Sequence, residues 1–149
     1  MDVFEQHLEK VKQINEQSLV SALFDYIRSI ESEMTELNRV QLNEKSKDVF
    51  GDAIGFYSQA TQVITKGAKK AGEPFDAKDT GSFLDKLYAK IENDMIVFGS
   101  TDSKVPLIMD SDNWLSKDLF GLTDDDLNDV ISKRIKPFMI DYNKKILLQ

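Results

Sequence analysis

Three short stretches of this chain combine residue types that could carry chemistry. The first, Asp79-Thr80-Gly81, matches the active-site triplet of aspartic proteases, in which two carboxylates share one proton. A chain of 149 residues supplies one such Asp and would have to act as a homodimer. The residues before the triplet do not form an apolar strand end, and Lys78 favours the ionised Asp79, which opposes proton sharing. We therefore predict a structural turn, with a homodimeric aspartic protease as the alternative.

The second stretch is the acidic run Asp124 to Asp126, which could bind a metal ion. It lacks the residue order of a calcium-binding loop. Helix capping accounts for it without a metal, because Thr123 is a candidate N-cap and acids in the first turn oppose the positive end of the helix dipole. We predict neither a metal nor a cofactor.

The third stretch, residues 66–74, contains two Gly, one Pro and the three lysines Lys66, Lys69 and Lys70. It lacks the spacing of a phosphate-cradling loop. This composition is typical of an exposed, flexible loop. Contact with phosphate or nucleic acid is the alternative function for these amines.

Composition narrows the classes of protein further. A net charge of −7 disfavours a dedicated duplex-DNA binder. The sequence contains no run of 18 apolar residues, so no transmembrane helix is predicted. The absence of Cys excludes disulfides and zinc–thiolate sites. The single His7 has no predicted partners, and the N-terminal residues do not resemble a signal peptide. These features make an enzyme an unfavoured class.

The elements that position these stretches begin with a long N-terminal helical region, residues 1–44. There is no Pro or Gly before Gly51, and apolar residues recur at three- and four-residue spacing. The polar patch at residues 15–18 interrupts this stripe and predicts a break. We expect either two helices packed on one core or an arm that packs against a neighbouring copy.

A β-hairpin is predicted for residues 83–99. Apolar and polar residues alternate from Phe83 to Ile91, residues 92–94 form a turn cluster, and a second apolar run ends at Gly99. Gly81, at the entrance of the hairpin, can adopt a positive φ. Residues 56–66 fit either a short helix capped by Ser58 or a strand.

A C-terminal helix is predicted for residues 121–149, with a kink or restart near Lys136 because Pro137 lies inside it. Leu122 and Leu127 stand at the positions of a hydrophobic staple. Trp114, the single Trp, is predicted to anchor a core or an interface. The fold class is α+β in a single domain, with a turn-rich and β part at residues 45–120.

The order of several motifs resembles the tailed-phage virion-morphogenesis, or tail-completion, family, and more loosely the neck and tail-terminator proteins. The matching pieces are Tyr57 with Thr61, the Lys-rich residues 66–70, Thr80-Gly81-Ser82-Phe83, and Phe120-Gly121-Leu122-Thr123 with Asp126. The sequence departs from the family at Lys78, where an apolar residue is usual. This variant is similar to that of crAss-like phages of Bacteroidetes-type hosts.

The resemblance implies a non-enzymatic structural protein that forms a ring of six or twelve copies at the neck or tail of a phage virion. Its partners would be copies of itself and other neck, portal or tail proteins, without a membrane. Phage DNA would pass through the channel without specific binding, which suits an acidic lumen. The protein would reside in the virion, and in the host cytoplasm during assembly. A further alternative is a helical adaptor whose N-terminal helix binds a partner helix.

Overall fold

The computed structural model describes residues 2–110 and 115–149. Helices account for 54% and strands for 12%, which confirms the predicted α+β class. The chain divides into two compact units, a helical unit (Met1–Ile30 with Leu127–Gln149) and a mixed unit (Glu31–Asp126). The expectation of one domain over the whole chain stays a prediction. Trp114 lies outside the described residues.

The predicted N-terminal helical region consists of three helices, α1 (Val3–Gln13), α2 (Glu16–Ser29) and α3 (Glu31–Asn43). The first break falls where the polar patch predicted it, because Asn15 is extended and its side chain accepts the N–H of Ser18 at 2.8 Å as an N-cap. The second break, at Ile30, is unexpected, since the apolar stripe runs through it without interruption.

The C-terminal region also differs from a regular α-helix. It comprises α7 (Asp124–Val130), a π-helical turn (Ile131–Ile135) and α8 (Lys136–Leu148). Pro137 lies directly after the π-helical turn, in which the Lys136 N–H donates to the carbonyl of Ile131, and the backbone stays right-handed helical through Ile135 and Lys136. The predicted kink or restart near Lys136 therefore takes the form of a change from π- to α-helical hydrogen bonding, without a break in the helix. In the helical unit α1 and α2 both contact α8, and the ring of Tyr26 stacks on that of Phe138 at 4.3 Å.

The mixed unit contains α3, α4 (Gln59–Ile64), α5 (Ser82–Asp85), β1 (Leu87–Glu92), β2 (Met95–Ser100) and α6 (Val105–Met109). Residues 59–64 are helical because Ser58 Oγ accepts the N–H of Thr61 at 3.1 Å. Side chains from most of these segments meet in one apolar core, which includes Leu42, Ile54, Phe83, Leu84, Leu87 and Leu119.

The predicted hairpin is present, but its first strand begins later than expected. β1 and β2 pair antiparallel from Leu87 with Ser100 to Glu92 with Met95, around a two-residue turn. Asn93 and Asp94 both have positive φ, as a type I′ turn requires, and the twist of this turn matches the twist of the two strands that it connects. The strand expected from Phe83 is wrong at its start, because residues 82–85 form the helical turn α5.

The outer edge of β1 is closed by side chains of α3. Thr35 Oγ1 accepts the N–H of Ala89 at 2.8 Å, and Glu31 Oε1 accepts the N–H of Ile91 at 2.9 Å. These bonds satisfy backbone donors that an edge strand would otherwise leave open. Within the part of the chain that the structure describes, no helix combines the length and the apolarity that crossing a bilayer requires.

Candidate functional site

The candidate site is a cleft of about 400 Å³ in the mixed unit. Its floor is apolar and comprises Phe75, Ala77, Phe83, Leu107, Ile108 and Leu115. Its polar lining comprises Lys69, Lys78, Asp79, Thr80 and Lys104. Three segments that the sequence singled out separately, the Lys-rich loop, the Asp-Thr-Gly triplet and Phe83, therefore meet around one cavity.

Lys69 is held in a polar cluster with Tyr57 and Asp76. The Tyr57 hydroxyl donates to Asp76 Oδ1 at 2.5 Å, and Lys69 Nζ donates to the Tyr57 hydroxyl at 2.8 Å and to Asp76 at 3.2 Å. Lys69 Nζ also donates to the carbonyl of Lys78. Most of residues 66–74 are exposed as predicted, but the side chain of Lys69 is only 23% exposed and ties this loop to residues 76–78.

The protonation states in this cluster follow from burial and from the partners. Burial, and then the hydrogen bond to Asp76, raise the pKa of Tyr57, which therefore stays neutral. Burial would raise the pKa of Asp76, but the hydrogen bonds from Tyr57, from the Lys78 N–H and from Lys69 lower it overall. The cluster accordingly contains a neutral phenol between a carboxylate and an ammonium group. Such an arrangement holds chain segments together and does not provide a general base.

Asp79 is exposed, and its carboxylate forms an ion pair with Lys104. The hydrogen bond from Lys104 and the charge of that amine lower the pKa of Asp79. A protease dyad needs the opposite, a carboxylate that holds a shared proton. The cation that favours the ionised form of Asp79 is therefore Lys104, which no sequence motif indicated, and not the predicted Lys78.

Gly81 and Thr80 build the turn from which α5 begins. Gly81 has a φ of +91°, and Thr80 Oγ1 accepts the N–H of Ser82 at 3.4 Å. This turn directs Phe83 into the core, where its ring lies 6.1 Å from that of Phe120. The triplet thus acts as the entrance of α5, not of a strand.

Among the described residues, Asp102, beside this turn, is the acid whose pKa departs furthest from its ordinary value, and no motif pointed to it. Its buried carboxylate accepts the Ser82 hydroxyl at 2.6 Å, the Lys104 N–H at 2.9 Å and Lys86 Nζ at 3.2 Å. The hydrogen bonds from Ser82 and from the backbone of Lys104 lower the pKa of Asp102 to about 2. This carboxylate joins the start of α5 to the start of α6.

We expect acid unfolding to depend on Asp102. Its pKa falls from 3.8 to about 2 on folding, so the ionised group stabilises the fold above pH 3.8 and this contribution disappears as the pH falls toward 2. Urea denaturation across this window should show a shallower pH dependence for Asp102→Asn than for the wild type. Asp52→Asn, at an exposed carboxylate, should reproduce the wild-type curve. Parallel curves for Asp102→Asn and the wild type would contradict the assignment.

The Phe120-Gly121-Leu122-Thr123 motif lies against α3 in the same unit. Asn38 Nδ2 donates to the carbonyls of Leu119 at 3.0 Å and of Gly121 at 2.7 Å, while Gln41 Oε1 accepts the N–H of Thr123 at 3.0 Å. Phe120 packs against the core and Leu122 is half-buried. The motif is therefore a loop held by two buried amides.

Thr123 caps α7 as predicted, because its Oγ1 accepts the N–H of Asp126 at 3.3 Å. The Asp126 carboxylate lies 3.4 Å from Lys45 Nζ. Among residues 2–110 and 115–149, no group of three or more His, Asp or Glu is arranged to hold a metal ion. Of the three acids of this run, Asp126 thus has its carboxylate next to Lys45, while Asp124 and Asp125 are exposed in the first turn of α7.

The remaining candidates are not part of the cleft. Thr61 lies in α4, and Lys66 and Lys70 are exposed on the loop that follows it.

Comparisons of the chain with models of protein families, with curated proteins and with solved structures found no match. Function therefore has to be inferred from the residues of this chain.

Proposed function

We propose that this chain is a non-enzymatic structural subunit of a tailed-phage virion, which forms a ring at the neck or tail. The motif order described above suggests this class. In the proposed virion, the subunit contacts its own copies and neighbouring neck, portal or tail proteins. It assembles from the host cytoplasm onto the particle.

The observation that supports an assembly role is the poorly covered apolar surface of the helical unit. Among the described residues of this unit only Ile27, Ile30 and Val130 are buried. Large apolar side chains remain exposed on several helices: Val3, Phe4, Leu8, Val11, Ile140 and Leu148. Phe4, Leu8 and Val11 recur at helical spacing along α1, and an exposed apolar face of this kind favours burial against another protein.

The cleft supports a structural role more than a catalytic one. Its two most prominent charged groups, Lys69 and Asp79, are engaged by Asp76 and Lys104. A nucleophile or a general base needs a free reactive group, and the pKa shifts here favour ionised, paired side chains. The homodimeric protease is accordingly the weaker proposal.

The net charge of −7 fits a channel through which DNA slides. Carboxylates that face a lumen repel phosphates, whereas fixed amines would hold them. In the proposed ring, Lys66 and Lys70, which are exposed, lie away from the lumen or contact an acidic neighbour. Head-to-tail contacts close such a ring at a fixed copy number.

Incorporation of variants into phage particles tests the proposal. Phe4 is 72% exposed, so Phe4→Ser should leave the melting temperature of the free chain unchanged and prevent its incorporation into particles. Gln13→Ser, an exposed polar change on the same helix, should be incorporated as the wild type is. Asp79→Asn particles should assemble normally, whereas the loss of a proteolytic activity in this variant would favour the protease.

A reconstruction of the assembled particle measures the copy number and the lining of the channel. We expect six or twelve copies around an acidic lumen. A single copy per particle, bound through α1, would identify the helical adaptor instead. A channel lined by Lys66, Lys69 and Lys70 would contradict the proposed lumen.

A further inference from the structure

The hairpin leaves one strand edge open. Its two-residue turn makes Glu92:Met95, Lys90:Val97 and Tyr88:Gly99 the hydrogen-bonded pairs. The backbone N–H and C=O groups of Ile96, Phe98 and Ser100 therefore point away from β1. No hydrogen bond from the described residues reaches these groups.

This open edge contrasts with the edge of β1. Thr35 and Glu31 close the β1 edge, whereas none of the described residues closes the β2 edge with a hydrogen bond. Met95–Ser100 contains no charged residue and no Pro, in a chain of which 30% is charged. Met95 and Ile96 are 61% and 37% exposed. An uncharged, exposed edge is a template for pairing with another strand.

We propose that β2 pairs antiparallel with β2 of a second copy, around a two-fold axis at Phe98. The structure favours a second copy because the only other regular strand among residues 2–110 and 115–149 is β1, whose edge is closed. A sheet that continues head to tail is therefore blocked. Two-fold pairing instead uses the same open edge on both copies.

The register follows from the three outward-facing residues. An axis at Phe98 places Ile96 opposite the second copy's Ser100, and Ser100 opposite its Ile96. All three residues then lie in hydrogen-bonded pairs, with about six hydrogen bonds across the contact. The resulting four-stranded sheet has a β1 strand at each end, closed by Thr35 and Glu31. Assembly through this edge consequently stops at two copies.

The side chains across this contact are compatible. Phe98 lies beside the second copy's Phe98 on one face, and Val97 lies opposite its Gly99 on the other. Pairs of this kind stabilise a sheet, and no like charges oppose each other within the six residues. This two-fold contact goes beyond the proposed function, because it does not extend a ring and does not use the helical unit. Its failure would leave the ring proposal intact.

Single cysteines test the register, since the chain has no Cys of its own. In the proposed dimer the two Cα atoms at position 98 lie about 5.5 Å apart, within the range of about 4.4–6.8 Å that a disulfide spans. We expect Phe98→Cys to give a disulfide-linked dimer under mild oxidation. Met95→Cys is the matched control, because position 95 is more exposed than position 98. It lies three residues from the axis on each copy, so the two Cα atoms at position 95 are about 20 Å apart. It should cross-link at least about tenfold more slowly.

A second pair of variants makes the test independent of Phe98 packing. An equimolar mixture of Ile96→Cys and Ser100→Cys chains should form mainly the mixed disulfide, because these positions oppose each other only between copies. Ile96→Pro should abolish sedimentation as a dimer, since the N–H that it removes is not used within the hairpin. Equal cross-linking rates for the 95 and 98 variants, or homodimers only in the mixture, would overturn the proposal.

Discussion

Replacing Asn38 with Leu should lower the free energy of unfolding by about 2–3 kcal/mol. The Asn38 side chain is buried in α3 and donates from one nitrogen to the carbonyls of Leu119 and Gly121. Leu has a similar branched shape but is larger and has no donor, so both carbonyls would lose their partner in a poorly hydrated place. The Oδ1 of Asn38 has no partner among the described residues, so its loss offsets a small part of this cost.

Urea denaturation of the purified chain measures this effect. Ser32→Leu is the matched control, because Ser32 is exposed on the same helix and the same residue type is introduced. It should change the stability by less than about 0.5 kcal/mol. Equal stabilities for Asn38→Leu and Ser32→Leu would show that the loop at Leu119–Thr123 does not depend on the buried amide.

Gly81→Val should cost about 2 kcal/mol, because its φ of +91° is a conformation that a β-branched residue resists. Space is not the reason, since a Cβ at this position would lie 3.7 Å from the nearest atom, Asp85 Oδ2. The strain would instead displace the start of α5. Phe83, which α5 holds in the core beside the cleft, would move with it.

Gly81→Asn separates backbone conformation from side-chain size. Asn tolerates positive φ better than other non-glycine residues, so this variant should lose markedly less stability than Gly81→Val. Thermal unfolding of the three chains at one pH provides the comparison. If the Asn and Val variants melted together, bulk rather than backbone strain would explain the loss.

Both predictions concern motifs that suggested a phage family, and in both the structure assigns the residues a structural task. Thr80-Gly81-Ser82-Phe83 starts α5, and Phe120 to Thr123 form a loop bound to α3. Motifs that position chain segments are compatible with a protein whose function is assembly. They do not distinguish one assembly from another, so the ring remains a proposal that particle reconstruction tests.

Features that depend on neighbouring residues were predictable from the sequence. Asn15, Ser58 and Thr123 cap helices because each side chain bonds an N–H three residues further along the chain. Asn93-Asp94 allows a tight turn between two apolar runs, which made the hairpin predictable as well. In each case the energy that decides the structure is local, so it appears in the spacing of a few residues.

Features that depend on distant segments were decided by tertiary structure. The alternation from Phe83 predicted a strand, but burial of Phe83 and Leu84 in one core favours a helical turn there. Asp102 joins residues 82, 86 and 104, and Lys69 joins residues 57 and 76. Burial strengthens such hydrogen bonds and shifts the pKa of the groups that make them. Local sequence determined where helices and turns begin, whereas the cleft and its ionised pairs exist only because folding brings separate segments of the chain together.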